Sequence, residues 1–146
     1  MIRQCPNCGR ENRVPARHLA HTGRCGACKQ PLPPSAEPLD VGAGAFDEIV
    51  GASAVPVLVD FWAPWCGPCR AVAPEVAKAA QRLAGDAVVL KVNTDAHPEL
   101  ARRFGVQGIP NFAVFVAGER VAQQAGAVSH QRLVAMVAAA RHGAQD

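Results

Sequence analysis

Six cysteines lie along the 146 residues in two sets, and the two spacings suit different chemistries. Cys66 and Cys69 form an isolated Cys-Gly-Pro-Cys pair, while Cys5, Cys8, Cys25 and Cys28 form two Cys-x2-Cys steps with sixteen residues between them. A lone Cys-x2-Cys can be half of a metal site or a redox dithiol. The pair at 66 and 69 has no second pair near it in sequence and carries proline where a helix would begin, so redox exchange is the favoured reading. A helix N-terminus offers unpaired N–H groups and the positive end of the macrodipole to a thiolate. That help matters, because an unshifted cysteine with a pKa of about 8.5 is only about 3% thiolate at pH 7, and the thiolate is the nucleophile. Cys66, at the helix start, is the expected attacking sulfur; Cys69, one turn further in, is expected to be less exposed and to resolve the mixed disulfide. Pro68 suits a first turn, where its missing N–H costs nothing, and Gly67 permits close approach of a substrate.

The other four cysteines have the spacing of a zinc ribbon. Each Cys-x2-Cys can place two thiolates on one side of a tight knuckle, with Gly9 and Gly26 supplying turn freedom, and two knuckles complete a tetrahedron. A closed four-sulfur site leaves no open coordination position, so the expected zinc, one per chain, is structural rather than catalytic. Its work would be folding, since a segment this short with few large apolar side chains cannot bury enough surface to order itself. His18 and His21 are ligands by type, but four thiolates already fill the site, and both read as surface or loop residues.

Strand-like and helix-like runs alternate around Cys66 and must position it. Phe46 to Val50 reads as a short helix, Val55 to Phe61 as a buried strand, and about Pro68 to Leu83 as a long helix that Pro74 should bend. Ala87 to Val92 is a second buried strand and Pro98 to Phe104 a helix. Phe112 to Val116 and Arg120 to Gln124 form a tight hairpin across Ala117, Gly118 and Glu119, and Ser129 can cap a last helix running to about Arg141. This order predicts an α/β fold, a mixed sheet with helices on both faces. Ahead of it, PLPPSAEP at residues 31–38 holds four prolines in eight residues and reads as an extended, semi-rigid linker. The expected organisation is a zinc-ribbon module over 1–30, a linker over 31–38 and an α/β domain over 39–146.

The segment VDFWAPWCGPCR, residues 59–70, resembles the active-site segment of the thioredoxins. KVNTD at 91–95, GVQGIP at 105–110 and Gly126 in QAGAVS follow in that family's order and at its spacing, so the resemblance covers roughly residues 40–142. It implies a thioredoxin-like mixed sheet. It also implies that Asp60 is the buried proton acceptor for Cys69, with a pKa raised by burial, and that Lys91 is the cation that modulates Asp60. Pro110 would be a cis proline facing the sulfurs, and the backbone of Ile109 would pair with an extended substrate. Trp62 and Trp65 would frame the sulfurs, Trp62 mainly by packing and Trp65 at the rim; Gly67, Pro68 and Gly126 complete the implied substrate surface. Read without the resemblance, Asp60 could be an ordinary strand aspartate, Lys91 an edge lysine and Pro110 a trans loop proline. Asn111 and Arg70 stand where the family more often has threonine and lysine; neither change removes a catalytic group, so altered substrate preference is the most they imply. The four-cysteine extension is similar to that of zinc-containing thioredoxins, the thioredoxin 2 class.

The implied activity is protein-disulfide reduction, recharged by a flavin-dependent thioredoxin reductase that uses NADPH, in redox homeostasis and the response to oxidative stress. The expected partners are that reductase and disulfide-containing proteins; no organic cofactor is expected, and the chain is expected to be a monomer. Met1 to Val14 contains Arg3, Arg10 and Arg13 and no apolar run of signal-peptide type, and no stretch reaches membrane-spanning length, so a cytoplasmic location is expected. The same site could oxidise or isomerise disulfides, but its Gly-Pro and the expected location argue against that. A reading from another class starts from charge: residues 1–34 hold six basic side chains against Glu11, net +5, and the rest of the chain sums to −2. The zinc module would then recruit nucleic acid or a protein, with the thioredoxin domain as scaffold. Basicity this weak, falling to about +3 once four thiolates hold a zinc ion, makes nucleic acid the less expected partner.

Overall fold

The computed structural model describes residues 1–145, with side chains as far as Arg141. Two short antiparallel hairpins open the chain: β1 (Ile2–Gln4) with β2 (Glu11–Arg13), and β3 (Gly23–Arg24) with β4 (Pro31–Leu32), separated by a 3-10 turn at Ala16–His18. Each hairpin turns at one of the Cys-x2-Cys steps, and the two turns repeat one pattern. Gly9 N–H donates to Cys5 O at 2.9 Å and Lys29 N–H to Cys25 O at 3.1 Å; Cys5 N–H donates to Arg10 O and Cys25 N–H to Gln30 O. Gly9 sits at φ +79° and Lys29 at φ +64°. The left-handed residue of the second knuckle is therefore Lys29 rather than Gly26. Gly26 sits between the cysteines, and the turn that needs positive φ comes after them.

The stretch read as a linker begins inside this module. Pro31 and Leu32 pair with Arg24 and Gly23, Leu32 is buried, and Ser35 N–H donates to Leu19 O at 2.9 Å. The Arg3 guanidinium donates to the carbonyls of Pro33 and Pro34. Proline lacks a donor but keeps its acceptor, so a proline-rich strand can still be tied down through its carbonyls.

The α/β portion follows as β5 (Leu39–Asp40), α1 (Ala43–Ala52), β6 (Val57–Trp62), α2 (Gly67–Leu83), β7 (Val88–Asn93), α3 (Pro98–Arg103), β8 (Asn111–Val116), β9 (Glu119–Ala125) and α4 (His130–Gln145). The strands form one mixed sheet in the order β5-β7-β6-β8-β9, with β5, β7 and β6 parallel and β8 and β9 antiparallel. Every predicted helix and strand is present, with ends shifted by a few residues; α1 is longer than its apolar stretch, and α2 runs unbroken through Pro74. β5 is an addition, two residues being too few to show a period. The β8–β9 turn consists of Ala117 and Gly118 alone, at φ +52° and +83°, the pair of left-handed residues a two-residue hairpin needs.

Alternation along the strands divides the core between the sheet's faces. Val57, Val59, Phe61, Leu90, Val92 and Phe115 pack with Phe46 and Ile49 of α1 and Leu100 of α3. Leu58, Val89, Phe112 and Val114 pack with Val72, Val76 and Ala79 of α2 and Leu133 and Val137 of α4. Asp60 and Lys91 share the parity of Leu58 and Val89, which places both on the α2 and α4 face. Leu19 and Ala16 of the N-terminal module belong to the α1 cluster, so the module and the sheet share one core.

Candidate functional site

The chain leaves β6 at Trp62 and enters α2 at Gly67, and Cys66 is the residue that caps the helix. Its φ of −79° and ψ of 111° are extended, as an N-cap requires, and its Sγ accepts the N–H of Cys69 at 3.2 Å. Pro68 lies in the first turn, where no donor is lost. Cys66 and Cys69 form a disulfide. In this oxidised state the expected difference in exposure is missing: Cys66 is 3% and Cys69 4% exposed, packed with Ala63, Trp62 and Ile109. Trp65 is 68% exposed and donates its Nε1–H to Asp95 Oδ1 at 3.2 Å, which holds it at the rim.

The second wall comes from the loop before β8. The Ile109–Pro110 peptide is cis, and Ile109 O lies 3.8 Å from Cys66 Sγ. Pro110 O accepts the N–H of Gly126 at 2.9 Å, and Gly126 sits at φ +90°, open to glycine at little cost. Gly126, which the sequence singles out only by resemblance, is thus joined by backbone to the residue beside the sulfurs. Asn111 is buried and its Oδ1 accepts from Gln123 Nε2 at 2.9 Å. Its side chain is spent inside the sheet. Arg70 is exposed on α2.

On the α2 and α4 face of the sheet, β6 carries Asp60, 2% exposed, and its Oδ1 has no hydrogen-bond partner among the described residues. Burial lifts its carboxyl to about 7; Lys91 across the parallel register pulls it down, and Asp40 pushes it up. Lys91 faces Asp60 on one side and Asp40 on the other in strand register, and its Nζ lies 4.4 Å from the centre of the Trp62 ring. Asp40 has no signal in the sequence, because its proximity depends on the pairing of a two-residue strand.

The four N-terminal sulfurs converge separately, all within 4.8 Å of one another. Cys5 and Cys28 sulfurs are 3.7 Å apart and Cys8 and Cys25 sulfurs 3.6 Å apart, the dimensions of a tetrahedral four-sulfur metal site. Backbone N–H groups of Cys28 and Ala27 and the Asn12 amide pull the Cys25 thiol down to about 5, and the Asn7 amide, with Gln30, pulls Cys28 down. Cys8 moves the other way: against a backbone hydrogen bond from Arg10 that lowers it, the sulfurs of Cys25, Cys28 and Cys5 push its thiol up to about 11, so a metal taking all four thiolates would displace its proton. Asn7 and Asn12 both lie 3.6 Å from a cysteine sulfur, a role not visible in the sequence because Asn7 beside Cys8 looks like ordinary turn composition and Asn12 has no cysteine neighbour. His18 and His21 are exposed and outside the cluster; their Nδ1 atoms lie 2.9 Å apart.

Comparison with known proteins agrees with this geometry. The family model described as Thioredoxin matches residues 37–139. Thioredoxin C-3 of Corynebacterium nephridii is 39% identical over 128 residues, covering 88% of this chain and 87% of that protein. Thioredoxin 1 of Nostoc sp. is 52% identical over 83 residues, 57% of this chain and 78% of its own. Residues 37–146 number 110, so the 128 residues aligned with Thioredoxin C-3 include at least 18 from ahead of the family-model match. Among solved structures, a mutant thioredoxin from Halobacterium salinarum NRC-1 superposes with a TM-score of 0.67 at 33% identity, over 72% of this chain and 91% of that one. Thioredoxin f from spinach chloroplast gives 0.68 at 29% identity, over 73% and 88%.

Proposed function

The chain belongs to the thioredoxin family of thiol–disulfide oxidoreductases, and on that premise we propose that it is a general protein-disulfide reductase working through Cys66 and Cys69. The observation that carries the reading is the N-cap position of Cys66, whose sulfur accepts the Cys69 N–H beside the carbonyl of Ile109. In the reduced protein the same N–H and the helix dipole favour thiolate over thiol at Cys66. That thiolate attacks one sulfur of a substrate disulfide, forms a mixed disulfide and expels a substrate thiolate. Cys69 then gives up its proton and attacks Cys66 Sγ, expelling the second substrate thiolate. The substrate gains two electrons and two protons, and the chain returns to the disulfide.

Asp60 takes the Cys69 proton in this scheme, and a carboxyl near 7 is matched to transfer at neutral pH. Lys91 keeps that carboxyl from rising further. Trp65, Gly67, Pro68, Ile109, Pro110 and Gly126 form the surface on which an extended substrate lies. Electrons come from NADPH through thioredoxin reductase, and the chain itself binds no organic cofactor. The setting is the cytoplasm, with a part in redox homeostasis and oxidative stress. Among the described residues no helix is long and apolar enough to cross a membrane.

The thiolates of Cys5, Cys8, Cys25 and Cys28 would hold one zinc ion. Zinc–sulfur bonds of about 2.3 Å require sulfurs about 3.8 Å apart, close to the separations present. Bound there, zinc supplies folding free energy to the module. Metal analysis of protein purified under reducing conditions should find one zinc per chain.

The reductase reading is tested by insulin reduction with NADPH and thioredoxin reductase. Cys66→Ser should abolish turnover and Cys69→Ser should accumulate a mixed disulfide through Cys66. Full activity in Cys66→Ser would discard the reading.

A further inference from the structure

One recess serves neither the dithiol nor the metal cluster. Between the two N-terminal hairpins runs a groove of about 710 Å³, lined by Arg3, Arg13, Arg24, His18 and His21, with Leu32 among its apolar residues and no acidic side chain. Arg13 and Arg24 are exposed and take part in no ion pair among the described residues. Arg3 donates to Pro33 O and Arg24 to Lys29 O, bonds that fix the guanidinium groups without neutralising them; Arg3 also feels the charge of Glu37, so the exposed Arg13 and Arg24 carry the free charge of the groove. β2 and β3 both line the groove, and each has a single strand partner.

We propose that this groove binds an acidic, extended polypeptide segment carried by the protein's disulfide-containing partners. Guanidinium groups take carboxylates in bidentate pairs, and strands with an unpaired edge accept an extended chain through its backbone. Nucleic acid fits less well. Residues 1–38 contain no phenylalanine, tyrosine or tryptophan on which a base could stack, only the small imidazoles of His18 and His21, and the three-residue 3-10 turn is too short to enter a major groove. Docking beside the α/β domain raises the local concentration of a disulfide on the same partner. That consequence rests on the reductase reading; binding itself does not.

The test uses the full-length, metal-loaded chain and a labelled, cysteine-free peptide of alternating glycine, serine, aspartate and glutamate, read by fluorescence anisotropy. The acidic peptide should bind, its asparagine and glutamine analogue should not, and raising salt should weaken the complex. In the double variant Arg13→Gln/Arg24→Gln the affinity should fall about tenfold, while reduction of a small aromatic disulfide stays unchanged. The single variants Arg13→Gln and Arg24→Gln carry the test if the double variant loses metal. Equal binding of the neutral analogue overturns the proposal, as does unaltered affinity in variants that keep their metal and circular dichroism. Tighter binding of an oligonucleotide of equal charge overturns it too, and makes the groove a nucleic-acid site.

Discussion

Asp60 shows what a buried carboxyl, here the proposed proton acceptor for Cys69, costs its own fold. The free carboxyl ionises near 3.8, and burial under α2 raises it to about 7. Below the lower value both folded and unfolded chains hold the proton, so nothing is lost. Between the two values the unfolded chain releases it and the folded chain keeps it, so stability falls as pH rises through 7, by on the order of 4 kcal/mol in all. Asp60→Asn removes that slope. The oxidised variant should therefore be more stable than the parent at pH 8 in urea unfolding, with the gap closing toward pH 4, while insulin reduction drops by about tenfold or more. An equal gap at both pH values would show that ionisation is not its cause. At this scale the sequence is informative where the chemistry is unusual: an acid within VLVDF stands out, and so does a Cys-Gly-Pro-Cys. Asp40 does not stand out, because only the register of β5 against β7 brings it to Lys91.

Among the elements, α2 and α4 are joined by a carboxylate as well as by apolar packing. Glu75 of α2 accepts both the backbone N–H and the ring Nδ1 of His130 at the first residue of α4, at 3.1 and 3.0 Å, and Lys78 lies 3.4 Å away. Ser129 Oγ accepts the N–H of Arg132, so side chains satisfy two of the N–H groups at the start of α4. The His130 contacts first, and Lys78 after them, hold Glu75 down at about 2. Its stabilisation is present above the ordinary carboxylate range and is lost as pH falls toward 2. Glu75→Gln should lower the melting temperature at pH 7, with the difference disappearing near pH 2; a difference that persists in acid would assign the effect to packing. Periodicity revealed β6, α2, β7 and the β8–β9 hairpin, because each is long enough to show its pattern and is bounded by glycine or proline. It could not reveal this joint, which links positions 75 and 130, nor that Lys29 takes the left-handed turn, since nothing about a lysine advertises positive φ.

Across the whole molecule, the sequence divides at the prolines while the packing does not. Low apolar content and four prolines mark residues 31–38 as a connector, yet the buried side chain that joins the two halves comes earlier. Leu19 is fully buried in the cluster with Phe46, Ile49 and Val50 of α1. A single leucine in a polar, cysteine-rich segment carries no periodic signal, so its partner is visible only in three dimensions. The consequence is thermodynamic coupling: a metal held by the four thiolates would order the module, and the module places Leu19 in the α1 face of the sheet's core. Leu19→Ala should destabilise the α/β domain by about 2–5 kcal/mol, the range for removing a buried leucine side chain. Chelating the metal should lower the domain's unfolding temperature in the parent chain, because the released module withdraws Leu19 from the core. In Leu19→Ala the same chelation should cost the domain much less, since most of the shared contact is already gone. Calorimetry on parent and variant, each with and without chelator, gives the four values of this cycle. Equal chelation effects in the two proteins would mean that the module and the domain are stabilised independently, despite the core they share.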